Sequence, residues 1–441
     1  MCEGTGKRNS KPYYFARRRV NGDPHGQAPM LWIATELLAE KMGDTAGKVK
    51  TPATSKLFER RIDPVSKVVS YALLCGAPDD NRQSLYFVTK SMTEDGRFLL
   101  FWHTAGNERK PPCGARHVMM ADLLKDEIVD LGVPSDKMYT WFVDCQRNEA
   151  VYADDAGVFW RLPFADPAHR VRLCGTPKTL TDVGSVQFLA THLTLTRDRA
   201  KAFLDVAVKT PEGKLRYFHG LLTLATGEWE PWGETDFCTD HGQINPANDR
   251  IALVAWEAAW EKQGREYKKR TGHYPRMWLV EPGNRRRMVP AEARNFASHE
   301  IWDDDGKGFS WCGWGSMNPD DTVYHCDLAT GRQEKWCGIA GARHNSCSPD
   351  NRYVVTDVAP ERWWRGCKWR VGFWNRETGK AAWVYTTRPA LMPRNNQSKL
   401  HPDPHPHFVM NAKYVVSTAS NADGHMDLYV TPVDQLIEMT R

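Results

Sequence analysis

The chain of 441 residues carries 59 Lys and Arg against 54 Asp and Glu, a formal net charge of +5, with 18 Trp, 14 Tyr and 16 Phe. That length exceeds one ordinary core and calls for several domains or a closed repeat architecture, while the near balance of charge, broken by one short basic block at Arg285-Arg286-Arg287, argues against nucleic acid as a partner. No apolar run reaches membrane-spanning length and no apolar signal core follows Met1, so no membrane partner is expected; the 11 cysteines, odd in number and without a C-x-x-C pair, read as free thiols of a reducing, cytoplasmic compartment.

Residues 1–60 open on a Pro- and Gly-rich stretch and continue into a helical-looking run from Leu31 to Lys41, and are expected to form an N-terminal extension capping a domain over 61–441. The run Lys67 to Leu74 is expected to pair with the last strand, Met426 to Val430, because closing a ring removes exposed sheet edges. Between them one unit recurs, a turn with Asp or Asn next to Gly or Arg and then an alternating apolar strand. Its copies stand at Asp95-Gly96, Arg147-Asn148, Asp198-Arg199, Asn248-Asp249, Asp305-Gly306, Asp350-Asn351 and Asn411-Ala412. Intervals of roughly 45–60 residues match propeller blades, so the expected fold is all-β, a seven-bladed β-propeller with a short N-terminal extension. Strands ending in Thr-Gly, at Thr226-Gly227, Thr330-Gly331 and Thr378-Gly379, supply positive-φ turns between antiparallel neighbours. A helical break is expected from Trp256 to Lys269, between two strands of the fourth blade, and rim insertions of this kind often carry function.

Propeller loops before the innermost strands converge on a central channel. Just upstream of the turns stand His241 in the fourth blade, His299 in the fifth, His344 in the sixth and His405 with His407 in the seventh. A single histidine is more often a hydrogen-bonded structural residue than a ligand, but recurrence at one level of a ring argues for a shared site. The richest segment is His401-Pro402-Asp403-Pro404-His405-Pro406-His407. Prolines stiffen it, and on an extended chain residues two apart project to one side, so His405 and His407 are expected to face one metal ion.

From about Ser84 to Val430 the chain resembles the oligogalacturonate lyases, a seven-bladed propeller family of polysaccharide lyases. The resemblance rests on Gln83-Ser84-Leu85-Tyr86-Phe87, His241-x-Gln243-x-x-Pro246 followed by Trp256-Glu257, Arg276-Met277-Trp278, His299-Glu300-x-Trp302 and His405-Pro406-His407. It implies a manganese ion held by His299, His405 and His407. The family's Gln ligand, which should precede the His-Pro-His segment, is missing here; the nearest is Gln397, and His401 or Asp403 stands in its place. The resemblance also implies His241 as the base, assisted by an arginine of the preceding strand, by position Arg216.

The chemistry stands beside the resemblance. β-Elimination from a 4-linked uronate removes a weakly acidic proton at C5; a cation on the C6 carboxylate stabilises the charge that develops, and a neutral imidazole takes the proton. An arginine beside that imidazole is expected to keep it deprotonated and to hold substrate carboxylate, and His344 and Glu257 are candidate substrate contacts. The expected partner is a short uronate oligosaccharide, galacturonate by resemblance; glucuronate or iduronate stays open, as does a non-catalytic propeller that binds glycans or proteins. The sequence sets no oligomeric state.

Overall fold

A computed structural model describes residues 49–441 apart from 79, 107–115, 135–140, 259–260, 292–295, 315–319, 359–369, 387–402 and 421–424. The N-terminal run from Leu31 to Lys41 therefore lies outside the described residues, and so does His401. Seven antiparallel sheets follow one another as the blades of a seven-bladed β-propeller. Their innermost strands are Asn81–Gln83, Trp141–Asp144, Thr194–Leu195, Thr239–Ile244, Phe296–Trp302, Ala342–Cys347 and His407–Val409, for blades 1 to 7.

Each expected turn joins an innermost strand to the second strand of its blade, and the chemistry of the turn explains why it repeats. In blades 1, 3 and 6 a Ser or Thr hydroxyl donates to an Asp two residues on, Thr93 to Asp95 at 2.7 Å, Thr196 to Asp198 at 2.7 Å and Ser348 to Asp350 at 2.6 Å. The same oxygen then accepts the first backbone N–H of the second strand, from Phe98, Lys201 and Tyr353. Side chains thus satisfy much of the turn's backbone, and the next blade takes up part of the rest, with Glu94 N donating to the Cys145 carbonyl and Arg197 N to Asp249, both at 2.9 Å.

Ring closure follows the sequence expectation. In blade 7 the strands His407–Val409, Tyr414–Ser420 and Met426–Pro432 are completed by Val69–Leu73, whose Tyr71 and Ala72 pair with Val430 and Tyr429. The strand Phe58–Ile62 adds a fifth member and spans the boundary expected at residue 60. The polar seam between blades 7 and 1 includes the buried pair Arg82–Asp427 at 2.8 Å and the bond from Ser84 N to the Thr418 hydroxyl at 2.9 Å.

The core is a set of wedges between blades. Phe98, Leu100, Trp102 and Met120 of blade 1 pack on Ala150, Tyr152 and Leu162 of blade 2, and Tyr353, Val355 and Phe373 of blade 6 pack on Phe408 and Val415 of blade 7. No sheet buries both faces alone, so the wedges hold the ring. The expected break in blade 4 is the helix Lys262–Thr271, ended by Gly272 at φ 88°. Among the described residues the eight cysteines are all free thiols, and no helix is long and apolar enough to cross a membrane.

Candidate functional site

The innermost strands of blades 4, 5 and 6 lose register with their neighbours where their histidines stand, between Asp240 and Gln243, Ser298 and Ile301, and Ala342 and Asn345. At the bulges of blades 4 and 5, His241 and His299 take φ values of 53° and 58°, and His405, at the entry to blade 7, takes 45°. Left-handed backbone is costly for a residue with a side chain and persists only where its surroundings enforce it, most often at functional sites. Three histidines held this way at one level of the ring mark that level as the site.

The imidazoles form a continuous row. Ring centroids lie 4.6 Å apart from His192 to His241, 6.2 Å from His241 to His299, 4.0 Å from His299 to His344 and 4.4 Å from His344 to His405. Blade 1 closes the ring with Tyr86, 4.8 Å from His405 and 5.2 Å from His192, and Phe87, 5.2 Å from His344. Burial holds His192, His299 and His344 well below the ordinary imidazole range, with His241, His344 and Arg343 respectively adding to the effect, so all three are neutral near pH 7.

One end of the row collects metal-ligating atoms. His344, Asp403 and His405 are fully buried, and one donor atom from each lies within 4.8 Å of the others. His344 Nδ1 meets Asp357 at 2.9 Å, leaving Nε2 toward Asp403 at 3.8 Å. Two imidazoles and a carboxylate fit a divalent ion of the manganese, iron, zinc or nickel kind. Asp403 thus stands beside the histidines where the sequence lacked a Gln, and His344, expected to contact substrate, belongs to the donor group. His299 adjoins it through His344 and donates from Nδ1 to the Arg343 carbonyl.

His407 is not brought to this group. Its Nδ1 lies 3.0 Å from the His405 carbonyl and its Nε2 2.7 Å from the Ser91 hydroxyl, so both ring nitrogens are engaged in the fold. The left-handed backbone of His405 is the physical reason, since the rule that residues two apart share a face holds only on an extended chain.

The other end holds a charge cluster around His241. Arg276, wholly buried, gives its Nε to Glu300 at 2.6 Å and one terminal nitrogen to Glu257 at 2.6 Å, while the other lies 3.4 Å from His241 Nδ1. Glu300 Oε2 stands 3.5 Å from the same Nδ1. Burial opposes ionisation of Glu300, but Arg276 outweighs it and holds the carboxyl far below its usual range. For His241 burial favours the neutral ring, yet Asp240 and Glu300 outweigh it and raise its pKa. The expectation that a neighbouring arginine would keep the ring deprotonated is thereby corrected: Arg276 pulls that way and the acidic neighbours outweigh it. Asp240, His241 and Glu257 also lie close enough to hold a cation, but the Arg276 guanidinium already pairs with Glu257 there.

Arg216 is not the arginine beside His241. It forms a two-pronged pair with Glu234, both contacts 2.6 Å, on a side chain 36% exposed. It lies on Leu215–Thr223, the third strand of blade 3 and so remote from the channel, because successive strands of a blade run outward. Arg276, the residue that takes the place, stood in the segment Arg276-Met277-Trp278 without a role. His192 was missed although it precedes the blade 3 turn at Thr196 to Arg199, as the other histidines precede theirs.

No family model matches the chain, and no curated protein matches it. Among solved structures it is similar to an oligogalacturonate lyase in complex with manganese, 19% identical, over 85% of this chain and 96% of that one, at a TM-score of 0.68. It is similar also to an oligogalacturonate lyase from Vibrio parahaemolyticus, 17% identical over 85% of this chain and 96% of that one, at a TM-score of 0.67. The chain thus has the seven-bladed β-propeller fold in which the oligogalacturonate lyases are built.

Proposed function

We propose that this protein is a metal-dependent lyase that cleaves short uronate oligosaccharides, galacturonides first among them, by β-elimination to a 4,5-unsaturated product. The observation that carries the reading is the buried group His344, Asp403 and His405 in one row of imidazoles with the His241, Arg276 and Glu300 cluster. A divalent ion such as Mn2+, held by His344, Asp403 and His405 with His299 adjoining, would supply a Lewis acid for the uronate carboxylate.

The residues of the chain do the rest. Nδ1 of His241 faces Arg276 and Glu300, which leaves Nε2 as the nitrogen that takes the C5 proton. The C5–H electron pair becomes the C4–C5 double bond as the bond from C4 to the glycosidic oxygen breaks, and that oxygen leaves with a proton from solvent. Glu300, kept ionised by Arg276, stabilises the imidazolium that forms on His241, as an orienting carboxylate does in a catalytic triad. Because these carboxylates also raise the ground-state pKa of His241, turnover rises with pH as the ring loses its proton.

The test is ultraviolet absorbance of the conjugated product when metal-loaded and chelator-treated protein meet digalacturonate and a panel of other uronate oligomers. A chelator-sensitive rise is expected, and His241→Ala should abolish it while the metal stays bound. A flat trace across the panel from protein with stoichiometric metal would refute the lyase.

A further inference from the structure

Two wholly buried carboxylates, in different blades, hold the row of histidines by the same device. Asp357, on the second strand of blade 6, accepts His344 N at 2.8 Å and His405 N at 3.2 Å and stands 2.9 Å from His344 Nδ1. Asp205, on the second strand of blade 3, accepts Thr191 N at 2.9 Å, Gly242 N at 3.2 Å and the Thr191 hydroxyl. Each aspartate thus ties the histidine-bearing turn of its own blade to that of the next, His344 to His405 and His192 to His241. The fit is close at Gly242, where a Cβ would stand 2.8 Å from Asp205 Cγ; the carboxylate reaches this backbone only because residue 242 lacks a side chain.

We propose that Asp357 and Asp205 are positioning residues with separate duties, Asp357 for the metal-holding pair and Asp205 for the base. The inference rests on the reading of His344, Asp403 and His405 as a metal group. Asp357 takes the proton-bearing Nδ1 of His344, which fixes the tautomer and points the lone pair of Nε2 toward Asp403. It also fixes the entry to the left-handed His405 through that residue's own N–H. Among the described residues Asp205 has no bond to an imidazole; it sets the backbone on which His241 and His192 stand. A carboxylate that merely stabilised the fold would act alike in both blades. Metal affinity therefore separates positioning from bulk structure.

Asp357→Asn and Asp205→Asn should each be measured for Mn2+ affinity by calorimetry, for thermal midpoint and for the pH profile of turnover. Asp357→Asn is expected to weaken Mn2+ about 10- to 100-fold. Asp205→Asn is expected to leave Mn2+ affinity as in the wild type while lowering kcat and shifting the pH profile. Equal losses of Mn2+ affinity in the two variants, or wild-type affinity in Asp357→Asn, would overturn the assignment. Wild-type protein that binds no Mn2+ would overturn the metal reading itself, and with it this role of Asp357. Should a variant fail to fold, the wild type still decides: nitrogen resonances of histidine-labelled protein are expected to place the His344 proton on Nδ1, and a proton on Nε2 overturns the proposal.

Discussion

Replacing Arg276 by Met is expected to destabilise the protein by about 3–5 kcal/mol near neutral pH, because it leaves Glu300 buried without its counter-charge. Both side chains of the pair are 1% exposed, so solvent cannot take over from the guanidinium; Glu257, 24% exposed, can rehydrate and adds little. The sign of the pH dependence follows from Glu300. In the wild type Arg276 holds its folded pKa below the unfolded value, so this stabilisation is present above the ordinary glutamate range and is lost only as pH falls toward the depressed value. In the variant burial acts unopposed by Arg276 and raises the folded pKa, so folding is penalised wherever the unfolded carboxyl ionises, and acid relieves the penalty. The gap between variant and wild type should therefore narrow by at least about 1 kcal/mol between about pH 7.5 and about pH 5. Urea unfolding followed by tryptophan fluorescence at the two pH values measures it, and Arg276→Met/Glu300→Gln, which removes both charges, should recover at least half of the loss. A deficit below about 1 kcal/mol, or one equal at both pH values, would show that the buried pair does not work as argued.

His344→Ala and His405→Ala should each abolish stoichiometric Mn2+ binding in calorimetry, whereas His407→Ala should keep Mn2+ and lose about 1–3 kcal/mol of stability, since it removes the bonds to Ser91 and to the His405 carbonyl. Arg216→Ala, which breaks a half-exposed surface pair with Glu234, should shift stability by no more than about 1 kcal/mol and leave turnover unchanged in the absorbance assay. At positions 241, 299 and 405 a glycine should be more stable than an alanine by about 1 kcal/mol in urea unfolding, the reverse of the usual order, because both lose the ring but only glycine sheds the left-handed strain. Alanine the more stable of the two at all three positions would mean that the strain is not there.

The fold was legible because its signals are local. An Asp or Asn turn beside Gly or Arg, followed by an alternating apolar strand, is read from a few consecutive residues, and seven copies at blade spacing imply a closed ring, which in turn implies the pairing of Val69–Leu73 with the last strand. The histidines were legible for a related reason: each stands a few residues before such a turn, and therefore on an innermost strand or at its entry. What the sequence could not show were relations that depend on the order of strands within a blade or on local backbone. Arg216 lies close before His241 in the chain yet on a remote strand, while Arg276, 35 residues after it, folds back across the second strand to its side.

Asp205 and Asp357 left a fainter trace, a lone acid within the apolar runs Ala202 to Val208 and Tyr353 to Val358, where an unpaired carboxylate would cost too much to keep. That trace and the failure over His407 share one cause. The bulges and left-handed histidines that turn imidazoles into the channel are unstable on their own, at about 1–3 kcal/mol for each such residue, and alternation rules describe only the strand they interrupt. In blades 4, 6 and 7 they persist because buried carboxylates on second strands, in the same blade for His344 and in the preceding blade for His405 and Gly242, accept the backbone N–H groups of these residues. The site is thus written twice in the chain, once as histidines before turns and once as acids where strands should be apolar, and the second record names the residues that hold the first in place.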